Sequence, residues 1–353
     1  MTVGATASVG ATVSGGTAAG FEAYPLLLRP HLYRRIWGGA RLAEWLGAGS
    51  AAAPVSGPAG EPVGECWLVD ADNRVENGRY AGLTLGTVAA THGAALVGAA
   101  PFERYGARVP LLAKFLDAAA DLSVQVHPDD AYAATVEAAS GHLGKAEAWL
   151  MLECGPGATV LRGFVRDVSE AQARAALADG TFADLLHRVG VRAGDVVVNP
   201  AGTVHAVGAG CFLFEIQQAS DLTYRLYDYG RTGADGKPRE LHVEHALAVA
   251  DLTGGPYRPR SATFEPGEWR RAVELPEFVL DARRLTPAAP ASDATTARSL
   301  ELIVLTSGSA RLSAAGHTLP LERGAAVVLP AGLGGYALEG DGDVLRAAVG
   351  EGA

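Results

Sequence analysis

The sequence predicts a mainly β protein: a jelly-roll barrel with inserted helices, followed by a second jelly-roll-like β-domain. Two spacings and a run of short strands carry that expectation. Gly194, Pro200, Gly202 and His205 are separated by five, one and two residues, which describes a strand, a tight turn and a second strand that points an imidazole into a small barrel. Gly324, Pro330, Gly332 and Gly335 repeat the same separations, with glycine where the imidazole stood. Between and around these turns lie brief apolar, β-branched segments such as Val196 to Val198, Cys211 to Gln217 and Glu301 to Thr306.

The elements follow in order. Residues 1–20, rich in Ala, Gly, Ser, Thr and Val, have neither a basic start nor a sustained apolar run, so they read as a disordered tail and not as a signal peptide. Tyr24 to Leu28 reads as an entering strand, Ala40 to Leu46 as a short helix after Gly38 and Gly39, and Gly47 to Pro62 as a loop. Leu83 to Val97 is Ala-rich and reads as a helix. Val109 to His127 holds strand-like runs, the second stopped by Pro128, after which Asp129 and Asp130 suit a helix N-terminus. Ala148 to Leu152 and Thr159 to Phe164 read as barrel strands. Asp167 and Glu170 have the spacing of a capping pair before a helix at Ala171 to Leu177, continuing near Phe182 to His187, and this stretch interrupts the strands as an insertion. Glu240 to Ala250 reads as a helix leaving the domain. From about residue 258 the second β-domain begins, with strands at Glu301 to Thr306, Ala310 to Leu312 and Ala325 to Leu329. The expected division is therefore a tail over 1–20, a barrel domain over 21–257 and a C-terminal β-domain over 258–353.

Composition narrows the function classes. A chain of 353 residues can bury two cores, and its formal net charge of −10, without a run of Lys or Arg, argues against a nucleic-acid groove. No stretch approaches the ~20 apolar residues of a membrane span. Cys66, Cys154 and Cys211 show no paired or metal-type spacing, which favours a reducing cytoplasm and buried thiols without disulfides. Composition sets no oligomeric state, and a monomer is compatible with it.

The chemistry concentrates around Gln125, His127, Glu147 and His205, which read as a four-ligand metal site. Gln125 and His127 stand two apart in an apolar, β-branched run, so a strand would project both to one face. Imidazole, carboxylate and amide donors suit zinc, one ion per chain. Each residue has a plainer reading: a strand histidine is commonly a hydrogen-bonded core residue, and Glu147 could instead pair with Lys145 on its own strand face. Trp37 and Trp67 are candidates for sugar stacking, and Trp149 for the core. The Asp129–Asp130 pair is better explained by capping than by a catalytic dyad.

Several blocks occurring in order resemble the type I mannose-6-phosphate isomerases, the zinc-dependent phosphomannose isomerases of the cupin superfamily. They are Ile36–Gly39, Gly64–Trp67, Lys114–Ala118, Gln125–Asp130, Gly144–Glu147, the His205 turn, Glu215–Gln218 and Tyr224–Asp228, within a resemblance running from about Tyr24 to Val249. It implies a cupin barrel and interconversion of D-mannose 6-phosphate and D-fructose 6-phosphate through an enediol(ate); that the C-terminal domain lacks a metal follows instead from Gly335 at the position of His205 in the repeated turn. The resemblance also implies that Arg225 is the catalytic cation beside the reacting carbons, a role for which a charged guanidinium is suited. A rim salt bridge with Asp228 or Asp221 is the competing role. Glu215 and Lys145 are alternative proton carriers, the latter if burial lowers its pKa, and Ser123, on the face of Gln125 and His127, is a candidate phosphate contact. An isomerase of unphosphorylated sugars would keep the ligands with another pocket, and a non-catalytic regulatory sugar binder would more readily lose Arg225 or a ligand.

Overall fold

The computed structural model describes residues 20–47, 53–232 and 236–350. The tail expected over 1–20 lies outside the described residues except for Gly20. The chain folds as three antiparallel-rich sheets. An eight-stranded sheet runs in the order Arg260–Ser261, Asp195–Asn199, Glu147–Cys154, Cys211–Gln218, Leu111–Asp117, Val63–Val69, His31–Gly39, Val55–Ser56. A five-stranded sheet faces it, in the order Tyr224–Tyr227, Val124–Val126, His205–Val207, Thr159–Phe164, Leu186–Gly190. Together they form the jelly-roll barrel that the first turn spacing implied, and Trp149, Met151, Val160, Val197, Val207 and Leu213 from both sheets fill the space between.

The other face of the eight-stranded sheet is equally apolar. Phe115, Leu150, Phe214 and Ile216 point away from the barrel interior and join one continuous core with Leu280, Leu302, Val328 and Leu345 of a nine-stranded C-terminal sheet. Strands buried on both faces explain why Leu111–Asp117 and Cys211–Gln218 are buried at every position instead of alternating. The repeated spacing at Gly324 is realised as the strand Ala326–Leu329, a turn, and the strand beginning at Gly335. The entering strand is short, Leu26–Leu27, and it pairs with Val328 and Val327 of the C-terminal sheet, not with the barrel.

Elements depart from the sequence expectation in four places, three of them helical. The stretch expected as one helix over Leu83 to Val97 is two, Leu85–His92 and Ala94–Val97, followed by a third at Ala99–Tyr105. The breaks fall at Gly93 and Gly98, whose φ values of 50° and 97° are left-handed; at Gly98 a Cβ would also stand 2.4 Å from the Arg298 carbonyl oxygen. The inserted helix, Glu170–Asp179, is capped by Ser169 with Gln172, a reciprocal capping box, whereas Asp167 accepts from the Gly254 amide instead. Phe182–Leu185 is a single 3-10 turn, and Leu186–Gly190 then joins the five-stranded sheet, because Leu186 is needed in the core beneath the insertion. Within the expected loop Gly47 to Pro62, Val55–Ser56 adds a short edge strand to His31–Gly39, while residues 48–52 lie outside the described residues.

Leu26 is fully buried in the core shared by barrel and C-terminal sheet. Replacing it with Ala is expected to cost about 2–5 kcal/mol, the range for buried leucines. Urea unfolding followed by tryptophan fluorescence and by far-UV dichroism should show the loss in one coincident transition, since the core is continuous.

Candidate active site

Two adjacent strands of the five-stranded sheet and one of the eight-stranded sheet bring the expected donors together. His205 lies directly opposite Gln125 in the sheet register, and Glu147 opens the facing strand with its side chain wholly buried. Donor atoms of His127, Glu147 and His205 all lie within 4.8 Å of one another. Glu147 Oε1 is 3.1 Å from His205 Nε2, and its Oε2 is 3.3 Å from His127 Nε2. Gln125 completes the group, its amide nitrogen 3.4 Å from His205 Nε2. Turning that amide by half a turn places its oxygen, the metal-binding atom, in the same position.

The remaining ring nitrogens fix the chemistry. His127 Nδ1 donates to the Leu222 carbonyl and His205 Nδ1 to the Thr203 carbonyl, each at 2.8 Å. A carbonyl only accepts, so both Nδ1 atoms carry protons and each Nε2 is the atom turned toward Glu147. Burial, together with Lys145, pushes the His127 pKa down to about 3, which keeps that imidazole neutral. Burial alone would raise Glu147, but Lys145 and His205 outweigh it and hold the carboxyl well below its usual range. His127 Nε2 and both Glu147 oxygens are buried without a hydrogen-bond partner. Converging buried donors, with Lys145 the one cation recorded in ion-pair range of Glu147 among the described residues, call for a further cation, and this donor set fits a zinc-type ion. The expected pairing of Glu147 with Lys145 is present as well, at 3.2 Å, beside the imidazole contacts.

A cleft of about 340 Å³ opens onto this group, lined by Gln125, Ser123, Lys145, Trp37, Trp149, Glu215 and Arg225. Arg225 makes no carboxylate pair among the described residues; its Nε donates to Ser123 Oγ at 3.2 Å and its terminal nitrogen to the Glu240 carbonyl at 2.9 Å. The competing rim partner, Asp228, is held by Arg231 and Arg239. Glu215 is buried, with Oε2 accepting from Trp149 Nε1 at 2.8 Å and Oε1 3.0 Å from Lys114 Nζ. Burial and the nearby Glu147 charge raise its pKa. Trp149 also stacks edge-on against His205, as a core residue that positions a ligand.

Sequence reasoning missed the opposite wall of the cleft, formed by Arg35, Glu65 and Lys114, together with Arg239 at its edge. Glu65 accepts from Arg35 at 2.9 and 3.1 Å and from Trp67 Nε1 at 2.6 Å, so Trp67 acts through its ring nitrogen. Lys114 sits between Glu215 and Glu65; burial opposes its charge, but the two carboxylates outweigh burial and raise its pKa. A lysine inside the otherwise apolar run from Leu111 to Leu116 was the available signal, because a buried charge needs a partner. A larger hollow, about 810 Å³, lies on the C-terminal sheet, but its Arg346 is already held by Asp281 and Asp293, and among the described residues no metal-type donor group lines it.

The family model for the catalytic domain of type I phosphomannose isomerase matches residues 26–152. Mannose-6-phosphate isomerase ManA of Bacillus subtilis (strain 168) is 36% identical over 322 residues, spanning 90% of this chain and 96% of that protein. The chain belongs to the type I mannose-6-phosphate isomerases. A family member from Streptococcus mutans serotype c, also a mannose-6-phosphate isomerase, is 33% identical across 92% of this chain and 98% of its own length. The crystal structure of the Bacillus subtilis mannose 6-phosphate isomerase superposes with a TM-score of 0.75 at 29% identity, covering 92% of this chain and 99% of that one. The family's jelly-roll architecture thus accounts for both β-domains.

Glu65 provides a pH test. Burial would raise its pKa, yet Lys114 and Arg35 hold it at about 2, against an ordinary 4.5. A depressed carboxyl stabilises the folded state fully above pH 4.5, and that contribution disappears as pH falls toward 2. The difference corresponds to roughly 3 kcal/mol. Unfolding free energies measured from pH 5 to 2 should therefore fall less steeply in Glu65→Gln than in the parent protein.

Proposed function

We propose that this chain interconverts D-mannose 6-phosphate and D-fructose 6-phosphate by proton transfer between carbons 1 and 2 through an enediol(ate). Membership of the family supplies the substrate. The observation that carries the reaction type is the buried convergence of His127, Glu147 and His205, adjoining through Gln125 a cleft whose lining includes Arg35, Lys114, Lys145 and Arg225. The ion is zinc, one per chain, held by those three residues and Gln125. Bound there, zinc supplies Lewis acidity toward the sugar's carbonyl and hydroxyl oxygens.

The protein's own groups divide the remaining work. Glu215, whose burial raises its pKa, is the proposed proton carrier, since a carboxylate poised nearer neutrality is the better general base. Lys114, kept charged between two carboxylates, provides a fixed positive charge beside it. Lys145, held against Glu147, is a second candidate for moving the proton and presents its remaining N–H donors to the cleft. Arg225 stabilises negative charge developing on the substrate, aimed by Ser123, so the serine's proposed role is to orient the guanidinium as well as to contact substrate. Burial and Arg239 lower the Arg225 pKa, an expense that only an anionic partner offsets.

The catalytic unit is proposed as residues 21–257 and the metal-free C-terminal unit as 258–353, with strand Leu26–Leu27 exchanged into the second and Arg260–Ser261 into the first. Every proposed site residue comes from one chain, so a monomer holds the complete site. No helix among the described residues is long and apolar enough to cross a membrane. A cytoplasmic location is part of this proposal, supported by three cysteines that carry no disulfide.

Purified protein should contain about one zinc per chain, and His127→Ala and His205→Ala should each lose it. Elemental analysis showing full occupancy in both variants would reject the ligand assignment. A coupled assay should show turnover of mannose 6-phosphate but little of mannose, abolished by a chelator. Arg225→Ala should keep its zinc while turnover falls roughly a hundredfold, the scale of one lost oxyanion donor, with KM changing less.

A further inference from the structure

Cys154 and Cys211 lie 57 positions apart in sequence with no motif to link them, yet they are direct cross-strand partners in the eight-stranded sheet. The adjoining amide of Gly155 bonds the Gly210 carbonyl at 2.9 Å. In an antiparallel ladder that bond makes Cys154 and Cys211 a non-hydrogen-bonded pair, the position where Cα atoms approach to about 4.5 Å and side chains come closest. Disulfides span Cα separations from about 4.4 Å upward. Both side chains face the barrel interior, packed with the cluster that contains Trp149, Met151 and Leu213.

We propose that Cys154 and Cys211 form an oxidisable dithiol that a hydroperoxide converts into an intramolecular disulfide. The two thiols are not equivalent. Cys211 is fully buried, its sulfur 3.8 Å from the Thr159 carbonyl, whereas Cys154 is only partly buried. The neighbouring Cys211 thiol lowers the Cys154 pKa against the opposing effects of burial and Asp195, and Arg41, which donates to the Cys211 carbonyl at 2.9 Å, adds positive charge nearby. The Cys154 thiolate therefore attacks first. Its sulfur takes one oxygen of hydrogen peroxide as the O–O bond breaks; the other oxygen leaves as hydroxide and, with a proton, becomes water. Cys211, whose thiol pKa the Cys154 contact and burial raise, gives up its proton as its sulfur attacks the Cys154 sulfur; the S–S bond forms, the S–O bond breaks, and the departing hydroxide takes that proton to become a second water. Two thiols lose two electrons, and the peroxide gains them. The new bond closes the segment that carries the Glu170–Asp179 insertion and the ligand His205.

Cys66 is the internal control. It is fully buried in the other core, away from the pair, and burial raises its thiol pKa. The test uses the full-length reduced protein, exposed to hydrogen peroxide, quenched, unfolded and treated with a maleimide before mass spectrometry. Two of the three thiols should escape labelling, Cys66 should be labelled, and peptide mapping should find Cys154 joined to Cys211. Dithiothreitol should restore all three, and Cys154→Ser should give no crosslink. Persistence of all three thiols would overturn the proposal. So would added oxygen on Cys154 with Cys211 still free, or crosslinks found only between molecules.

Discussion

A carboxylate buried away from water between two imidazole nitrogens is unstable by itself, and the architecture around Glu147 answers that one electrostatic demand. His127 and His205 have their outer nitrogens tied to backbone carbonyls, so neither ring can turn away or reverse its tautomer. Their strands, Val124–Val126 and His205–Val207, are neighbours in the short sheet, and Glu147 reaches them from the long one. The ligand group thus acts as a polar link across the sandwich: a cation placed there joins the two layers as well as serving chemistry. The lysine at 145 is the nearest positive charge the chain itself offers to Glu147.

The same demand explains the alternating charges on the inner face of the long sheet. Arg35, Glu65, Lys114 and Glu215 follow one another across neighbouring strands, each within ion-pair range of the next. Such groups are expensive to bury singly, because each loses its hydration. Arranged in sequence, each has an opposite charge beside it, and the line ends at the open cleft. This gives the site a strong, fixed field with little side-chain freedom, the condition under which electrostatic stabilisation of a changing charge is most effective.

The proposed metal donors were legible because a strand's two-residue period and a turn's glycine–proline spacing are local, and local geometry is written in local sequence. Gln125, His127 and His205 were singled out that way, as were the jelly-roll barrel and the glycine in place of the imidazole at residue 335. Lys114 and Glu65 were not assigned roles, because their function depends on which strands become neighbours across the sheet, information that no short window contains. The cysteine pair was hidden for the same reason: its members are distant in sequence and meet only through register. Helix ends failed for a different reason. Asp167 and Ser169 both have side chains able to cap, and the choice between them was settled by the tertiary contact that Asp167 makes with Gly254.

Strand Leu26–Leu27 adds an element of timing. It is bonded to the strand Ala326–Leu329, so nearly the whole chain must leave the ribosome before the earliest described strand finds its partner. Until then its backbone edge and the side chain of Leu26 stay uncovered, and one face of the long sheet lacks the C-terminal layer that shields it. Long-range pairings of this kind form slowly, and nascent chains with waiting edges are the ones that depend on chaperones. The barrel that carries the chemistry can collapse early; its protective layer arrives last.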